Sequence, residues 1–269
     1  MPTIKPFFDG PRTLKGLEWY KALDPADVIV VDTETTGLDP EKDEILSLSI
    51  VDGNGEVLFD SLVRPEHRKR WPKAQEIHGI AWADVKDKPE LLEMSDEIEA
   101  IFAAAKVVVG YNLDYDIDMI HGGGINTGKL KWLDLMQEYA PIYGKWSERK
   151  DDWRWAKLEQ CAKHYRYGAF EAHGSLEDAK ATAYCYRKIM ADPKYEAIIA
   201  ETETEAKERA KRAEDFREAN KDLYKAYEKA AKAQEKKADK GSDSGGCGCI
   251  AAIAIVLFFV YWFFRWLFG

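Results

Sequence analysis

Cysteine is scarce and poorly spaced for metal work: the 269 residues hold four, Cys161, Cys185, Cys247 and Cys249, with no CxxC pair. That spacing excludes a thiolate zinc site or a dithiol redox motif and points to a reducing setting. An excess of basic charge is also missing. With 39 Lys and Arg against 48 Asp and Glu, the net charge is −9, which excludes binding nucleic acid through a broad cationic surface. A local basic patch, or a site in which metal ions supply the positive charge, stays open. The opening stretch MPTIKPFFDGPRTLKG lacks the continuous apolar run of a secretory signal, so the bulk of the chain is expected to start in the cytoplasm.

What is present divides the chain into zones. Residues 1–191 mix apolar runs, turns and amphipathic stretches in globular fashion. Residues 192–240 are dominated by Glu, Lys, Arg and Ala, with no Gly and no Pro after Pro193. This predicts one long charged helix, capped by Asp192 and started by Pro193. Pairs such as Glu205 with Arg209 carry the i,i+4 spacing that supports it. Small and apolar residues at Ala206, Ala210, Ala213, Leu223, Tyr227 and Ala230 suggest a weak seam for a homodimer; a solvated spacer is the plainer reading. Residues 241–249 read as a flexible Gly/Ser/Cys linker. Residues 250–268, IAAIAIVLFFVYWFFRWLF, are long enough to cross a hydrocarbon core as a helix. The expectation is a C-terminal tail anchor that leaves the preceding domain in the cytoplasm, because Lys232, Lys236, Lys237 and Lys240 precede the span.

Inside the first zone, DVIVVDTETTG reads as a buried strand and EILSLSIVDGNGEVLFDSLV as a hairpin around DGNG. KPELLEMSDEIEAIFAAA predicts a helix, KVVVGYN a second buried strand, LDYDIDMIHGGG a helix, and KWLDLMQ a third strand or strand–helix junction. WAKLEQCAKHYRYG predicts another helix with Gly168 past its end. A three-stranded meander followed by alternating helices and strands implies an α/β domain with a mixed sheet.

Strand periodicity puts Asp32 and Glu34 on one face. Two adjacent carboxylates are stable at neutral pH when water screens them or a hard cation neutralises them. Asp116 falls near a helix start in GYNLDYDIDMI. In HGSLEDAKAT, His173 precedes a helix start in which Ser175 could cap and Asp178 could complete a capping box. Taken singly, each of these acids has an ordinary structural reading.

Taken in order, VDTETTGL, YNLDYD and HGSLEDA resemble the three motifs of the DEDDh 3′ to 5′ exonucleases of the ribonuclease H-like fold. The likeness is strongest to the proofreading subunit of bacterial DNA polymerase III, whose IHGI segment is similar to EIHGI here. The resemblance covers residues 27–190 and implies a mixed five-stranded sheet flanked by helices. It also implies two divalent metal ions, Mg²⁺ or Mn²⁺, held by Asp32, Glu34, Asp116 and Asp178, with His173 as the general base toward water. By the same similarity Thr35, Gly37, Leu38 and His78 would lie by the terminal nucleotide, and Asn112 would hold the site together. For His78 a plain turn histidine is the competing role.

The implied activity is release of nucleoside monophosphates from DNA 3′ ends, single-stranded by preference. An exoribonuclease and a catalytically silent end-binding module are the alternatives. One departure is Tyr111, where the pattern usually has His before the Asn. Another is YGKWSERKDDWRWAK, residues 143–157, which carries more Trp and basic residues than a connector needs. Exposed aromatics among cations suit a flap over single-stranded ends, though Trp153 and Trp155 packing a loop onto the core would read the same.

Overall fold

A computed structural model describes residues 10–168, 174–221 and 225. In chain order the elements are α1 (Leu14–Lys21), β1 (Val28–Thr35), β2 (Ile45–Asp52), β3 (Val57–Leu62), α2 (Pro72–His78), α3 (Trp82–Val85), α4 (Ser95–Ala104) and β4 (Val107–Gly110). There follow α5 (Leu113–Gly122), β5 (Lys131–Asp134), α6 (Leu135–Tyr143), β6 (Trp146–Ser147), β7 (Asp152–Trp153), α7 (Leu158–His164), α8 (Ser175–Met190) and α9 (Pro193–Ala219).

The main sheet has the order β3-β2-β1-β4-β5. β1 pairs antiparallel with β2 and β2 with β3, while β1, β4 and β5 run parallel. This is the mixed sheet expected from the meander and the alternating elements, with the five strands that the family resemblance implies. β1 and β4 are central and covered on both sides, which is why they read as β-branched runs rather than alternating ones. Val28, Val30, Val107 and Val109 pack with residues of α1, α6, α7 and α8, whereas Ile29, Val31 and Val108 pack with α4 and α5. Side-chain alternation along β1 therefore assigns each residue to one helical layer.

Four local expectations are revised. Ser175 is the first residue of α8, and Gly174 occupies the cap position with no side-chain cap. The Ser175 hydroxyl instead bonds those of Ser47 at 2.7 Å and Ser49 at 2.8 Å on β2, so the capping box does not form. The helix expected to run to Gly168 ends at His164, because Arg166 turns into the left-handed region (φ 61°) and the Tyr167 N–H returns to the Ala162 carbonyl. The stretch 88–105 splits into a 3₁₀ turn, Leu91–Met94, and α4. The aromatic connector folds as a small hairpin, β6 with β7.

The chain divides into two compact units, Met1–Thr202 and Glu203–Gly269. α9 begins at Pro193, with the Asp192 carboxylate accepting the Lys194 N–H as expected. Its first turn belongs to the first unit and is bonded to the rest of it at several points. Tyr165 donates to Asp192, Lys194 to the Ile142 carbonyl, and Lys21 pairs with Glu196. Tyr195, fully buried, donates to Glu138 at 2.6 Å, and Arg12 pairs with the same carboxylate at 3.0 Å. Beyond Thr202 the helix carries i,i+4 pairs, Glu203–Lys207, Glu205–Arg209 and Glu208–Arg212, the last two exposed. Among the described residues no helix is long and apolar enough to cross a membrane. The expected linker 241–249 and span 250–268 lie outside the described residues, as do His173 and most of the helix expected beyond 221.

Candidate active site

The site lies at the C-terminal end of β1. Asp32 and Glu34 project toward the α8 side, opposite Ser49 and Ser47 of β2. The register shifts between Glu34 and Thr35; a bulge at this place bends the strand end and re-aims the side chains beside it. Ser175, hydrogen-bonded to both serines, pins the first turn of α8 onto this face, and Asp178 follows one turn later. Ligand oxygens of Asp32, Glu34 and Asp178 lie within 4.8 Å of one another.

Asp116 arrives from the other layer. Thr33 points away from Asp32, and its N–H and hydroxyl donate to Asp116 Oδ1 at 3.0 and 2.7 Å. The carboxylate is thereby buried against the strand end on α5, next to the group of three and outside its 4.8 Å limit. α5 is launched by Asn112 in the left-handed conformation (φ 74°), one that Asn tolerates better than most residues. The Asn112 N–H donates to Asp134 Oδ1 at 2.9 Å, and the same oxygen caps α6 through the Met136 N–H. Asp134 was not anticipated as a site residue, although an acid closing an apolar strand before a helix was the available signal. Tyr111, in place of the usual His, donates to the Ala156 carbonyl at 2.8 Å and so ties the segment after the hairpin to the end of β4.

The remaining expected contacts surround the loop after β1. The Thr35 and Tyr115 hydroxyls lie against each other and both face the Gly37 carbonyl, at 2.7 and 2.8 Å, so their two protons are shared among three contacts. A Cβ at Gly37 would stand 2.4 Å from the Asp43 carboxylate, which accepts the Asp39 N–H and pairs with Arg68. Leu38 is 83% exposed beside this loop. His78 accepts the Ile80 N–H at Nδ1, so its proton sits on Nε2, which donates to the Thr35 carbonyl at 3.2 Å. In this arrangement His78 is a strut between the α2 turn and the end of β1.

The crowding of acids has electrostatic consequences. Burial raises the Asp32 carboxyl well above the usual range, with Asp116, Asp178 and Glu34 adding repulsion. Burial raises Glu34 to about 7, aided by Asp178. It lifts Asp116 to about 8 against the opposing Thr33 hydrogen bonds, and Asp134 to about 6 against its backbone donors. No described Lys or Arg forms an ion pair with Asp32 or Glu34. An all-oxygen donor set with repelling carboxylates is the composition that a hard divalent cation neutralises, so the residues fit the metal role.

A cleft of about 470 Å³ opens over the carboxylates, lined by Asp32, Asn112, Trp155, Leu158 and Asp178 among others. The structure thus brings together Asp32, Glu34 and Asp178, sets Asp116 and Asn112 beside them, and groups Thr35, Gly37 and His78 around one loop. His173, adjoining Gly174 in sequence, lies outside the described residues.

A family profile described as Exonuclease (RNase_T) matches residues 29–186. The chain is 27% identical over 172 residues to the DNA polymerase III subunit epsilon of Aquifex aeolicus, covering 60% of this chain and 79% of that protein. It is 25% identical over 198 residues to the PolC-type DNA polymerase III of Thermotoga petrophila, covering 70% of this chain and 14% of that protein. It therefore spans only a small part of the length of the PolC-type relatives. Of solved structures, E. coli exonuclease I in complex with a dA16 oligonucleotide has the same fold, with TM-score 0.51 at 18% identity over 64% of this chain and 42% of that one.

Proposed function

The chain belongs to the exonuclease family that it matches over residues 29–186, and from that premise we propose that it is a metal-dependent 3′ to 5′ exonuclease releasing nucleoside monophosphates from DNA ends. The observation that carries this reading is the convergence of Asp32, Glu34 and Asp178 within 4.8 Å, with Asp116 adjoining. These four carboxylates are the residues that would hold two divalent cations, Mg²⁺ or Mn²⁺. Such cations would lower the pKa of an attacking water and neutralise charge on the scissile phosphate.

The chain's own residues supply the rest. His173, just ahead of α8, is the proposed base that takes a proton from water; a neutral imidazole suits that task near pH 7. Thr35, Gly37 and the exposed Leu38 are proposed to receive the terminal nucleotide, with His78 and Asn112 fixing the backbone around it. The apolar run 250–268 supports a further part of the reading, that the enzyme is held at a membrane with its nuclease unit on the cytoplasmic side.

The test is hydrolysis of end-labelled single-stranded DNA and RNA by the full chain in Mg²⁺ or Mn²⁺. Stepwise release of mononucleotides from the 3′ end is expected, faster on DNA, and abolished in Asp32→Asn and Asp178→Asn. His173→Ala should lose on the order of 10²–10⁴ in rate while still binding Mn²⁺. No mononucleotide from either polymer, with metal bound, refutes the enzyme; faster release from RNA refutes the DNA assignment alone.

A further inference from the structure

The hairpin that precedes α7 contributes little to the core, yet it presents three indoles to solvent. Trp146, Trp153 and Trp155 are 48%, 37% and 51% exposed. β6 and β7 are two residues each, too short to bury a face of their own. Trp146 and Trp153 face each other across the ladder, edge to face, with centroids 5.1 Å apart at 85°, an arrangement that leaves open ring face. Lys150 stands over the Trp155 ring at 5.5 Å. Among the described residues no carboxylate forms an ion pair with Arg149, Lys150 or Arg154, so these cations are available in a chain whose overall charge is −9.

Position gives this surface its meaning. A second cleft, of about 790 Å³, runs across the hairpin between the three indoles, with Arg149, Lys150 and Arg154 outnumbering the two acids on its wall, Glu148 and Asp152. Trp155 also lines the smaller cleft over Asp32 and Asp178. One residue therefore belongs to both hollows, and its neighbour Ala156 is held to the end of β4 by the Tyr111 hydroxyl. A ligand that fills the first cleft and continues outward meets an indole at the junction, then paired indoles with cations around them.

We propose that this hairpin is a docking surface for the unpaired stretch of a nucleic-acid strand whose 3′ end lies at the carboxylates, Trp155 being the platform on which the strand turns from one cleft to the other. The proposal rests on the nuclease reading for the direction of the strand, while the surface itself is defined by the hairpin. Each base has a π-face for an indole, and each linking phosphate has a charge for Arg or Lys, so this chemistry favours single strands of any sequence over stacked duplex. A protein partner fits less well, since a stable protein interface needs on the order of 1,000 Å² with good complementarity, and the continuity with the carboxylates would then serve nothing.

The experiment measures affinity of the full chain for a 5′-fluorescein dT₁₂ by anisotropy, with Ca²⁺ in place of the catalytic metal, so that binding is read whether or not the chain turns over. Trp155→Ala and the double variant Trp146→Ala/Trp153→Ala should each weaken binding on the order of tenfold. Trp155→Phe should recover most of it, and Trp19→Ala, an exposed indole on α1, should bind as the unmodified chain does. A matching rise in KM for oligonucleotide cleavage, larger than the fall in kcat, is expected in the hairpin variants. Unchanged affinity in both hairpin variants, with circular dichroism showing them folded, overturns the proposal. So does a hairpin variant that changes oligomeric state while binding dT₁₂ normally. An unmodified chain that binds dT₁₂ through the indoles but never cleaves it refutes the nuclease reading and leaves the surface standing.

Discussion

At the scale of the residue, the governing fact is that several carboxyls are protonated more readily in the fold than in the unfolded chain. Glu34 titrates at about 7 against an ordinary 4.5, Asp134 at about 6 and Asp116 at about 8 against 3.8. A raised carboxyl pKa means the folded state binds more protons, so its stabilising contribution is complete below about pH 4 and is lost as pH rises toward 8. Each such group weakens the metal-free fold by up to about 1.4 kcal/mol per pH unit inside its window. The melting temperature of the metal-free chain should therefore fall between pH 5 and 8. Mn²⁺ should raise it more at pH 8 than at pH 5, because ligands must lose their protons to bind. Differential scanning fluorimetry across that range checks both trends; a metal-free melting temperature that climbs with pH would contradict the assigned crowding. Asp32 and Glu34 were legible because a strand repeats every two residues. Thr33, between them, was not: only the packed α5 layer shows that its N–H and hydroxyl are the partners of Asp116.

At the scale of the element, the site is an agreement between β1, β2, α5 and α8 on where their ends lie. α8 is set by hydroxyls rather than by a cap. Ser175→Ala removes its bonds to Ser47 and Ser49 in a buried setting, and should cost about 1–2 kcal/mol, visible as a lowered denaturant midpoint. Because Asp178 rides on the same turn, kcat should fall while oligonucleotide affinity through the hairpin holds; an unaltered kcat would detach Asp178 from this support. The strands and the helices α5 and α8 were readable from periodicity and turn residues. The serines were not, because small hydroxyl residues alternating in LSLSI look the same whether they face water or a neighbouring helix. The short strands β6 and β7 hold too few residues for any period to show, although the density of Trp and Arg marked the place. Gly168 is the familiar stop signal, but Arg166 takes the left-handed turn earlier and α7 ends at His164.

At the scale of the whole molecule, the first unit holds every described residue of the site, and the second follows it along α9. On the proposed anchor, the chain carrying residues 250–268 should sediment with membranes when expressed in cells, and the chain lacking them should stay in the supernatant while cleaving oligonucleotides at a comparable rate. Equal distribution of the two would dispose of the anchor. The stitching of the first turn of α9 then acquires a mechanical sense. If residues 250–268 hold the chain at a membrane, as proposed, a pull along α9 would meet the buried Ile199 and Tyr195 and their neighbours Asp192, Lys194 and Glu196 before it reached α8. Asp192, Lys194, Tyr195 and Glu196 are fastened to the ends of α6 and α7, to Glu138 and to α1, so such a pull would be shared among those elements. Tyr195→Phe, which removes one of the two side chains bonded to Glu138 among the described residues, should lower the force at which α9 peels away in optical-trap measurements and leave unloaded cleavage unaltered. On the proposed membrane-held reading, the base of α9 would serve as a strain relief, of the kind fitted where a cable enters a housing.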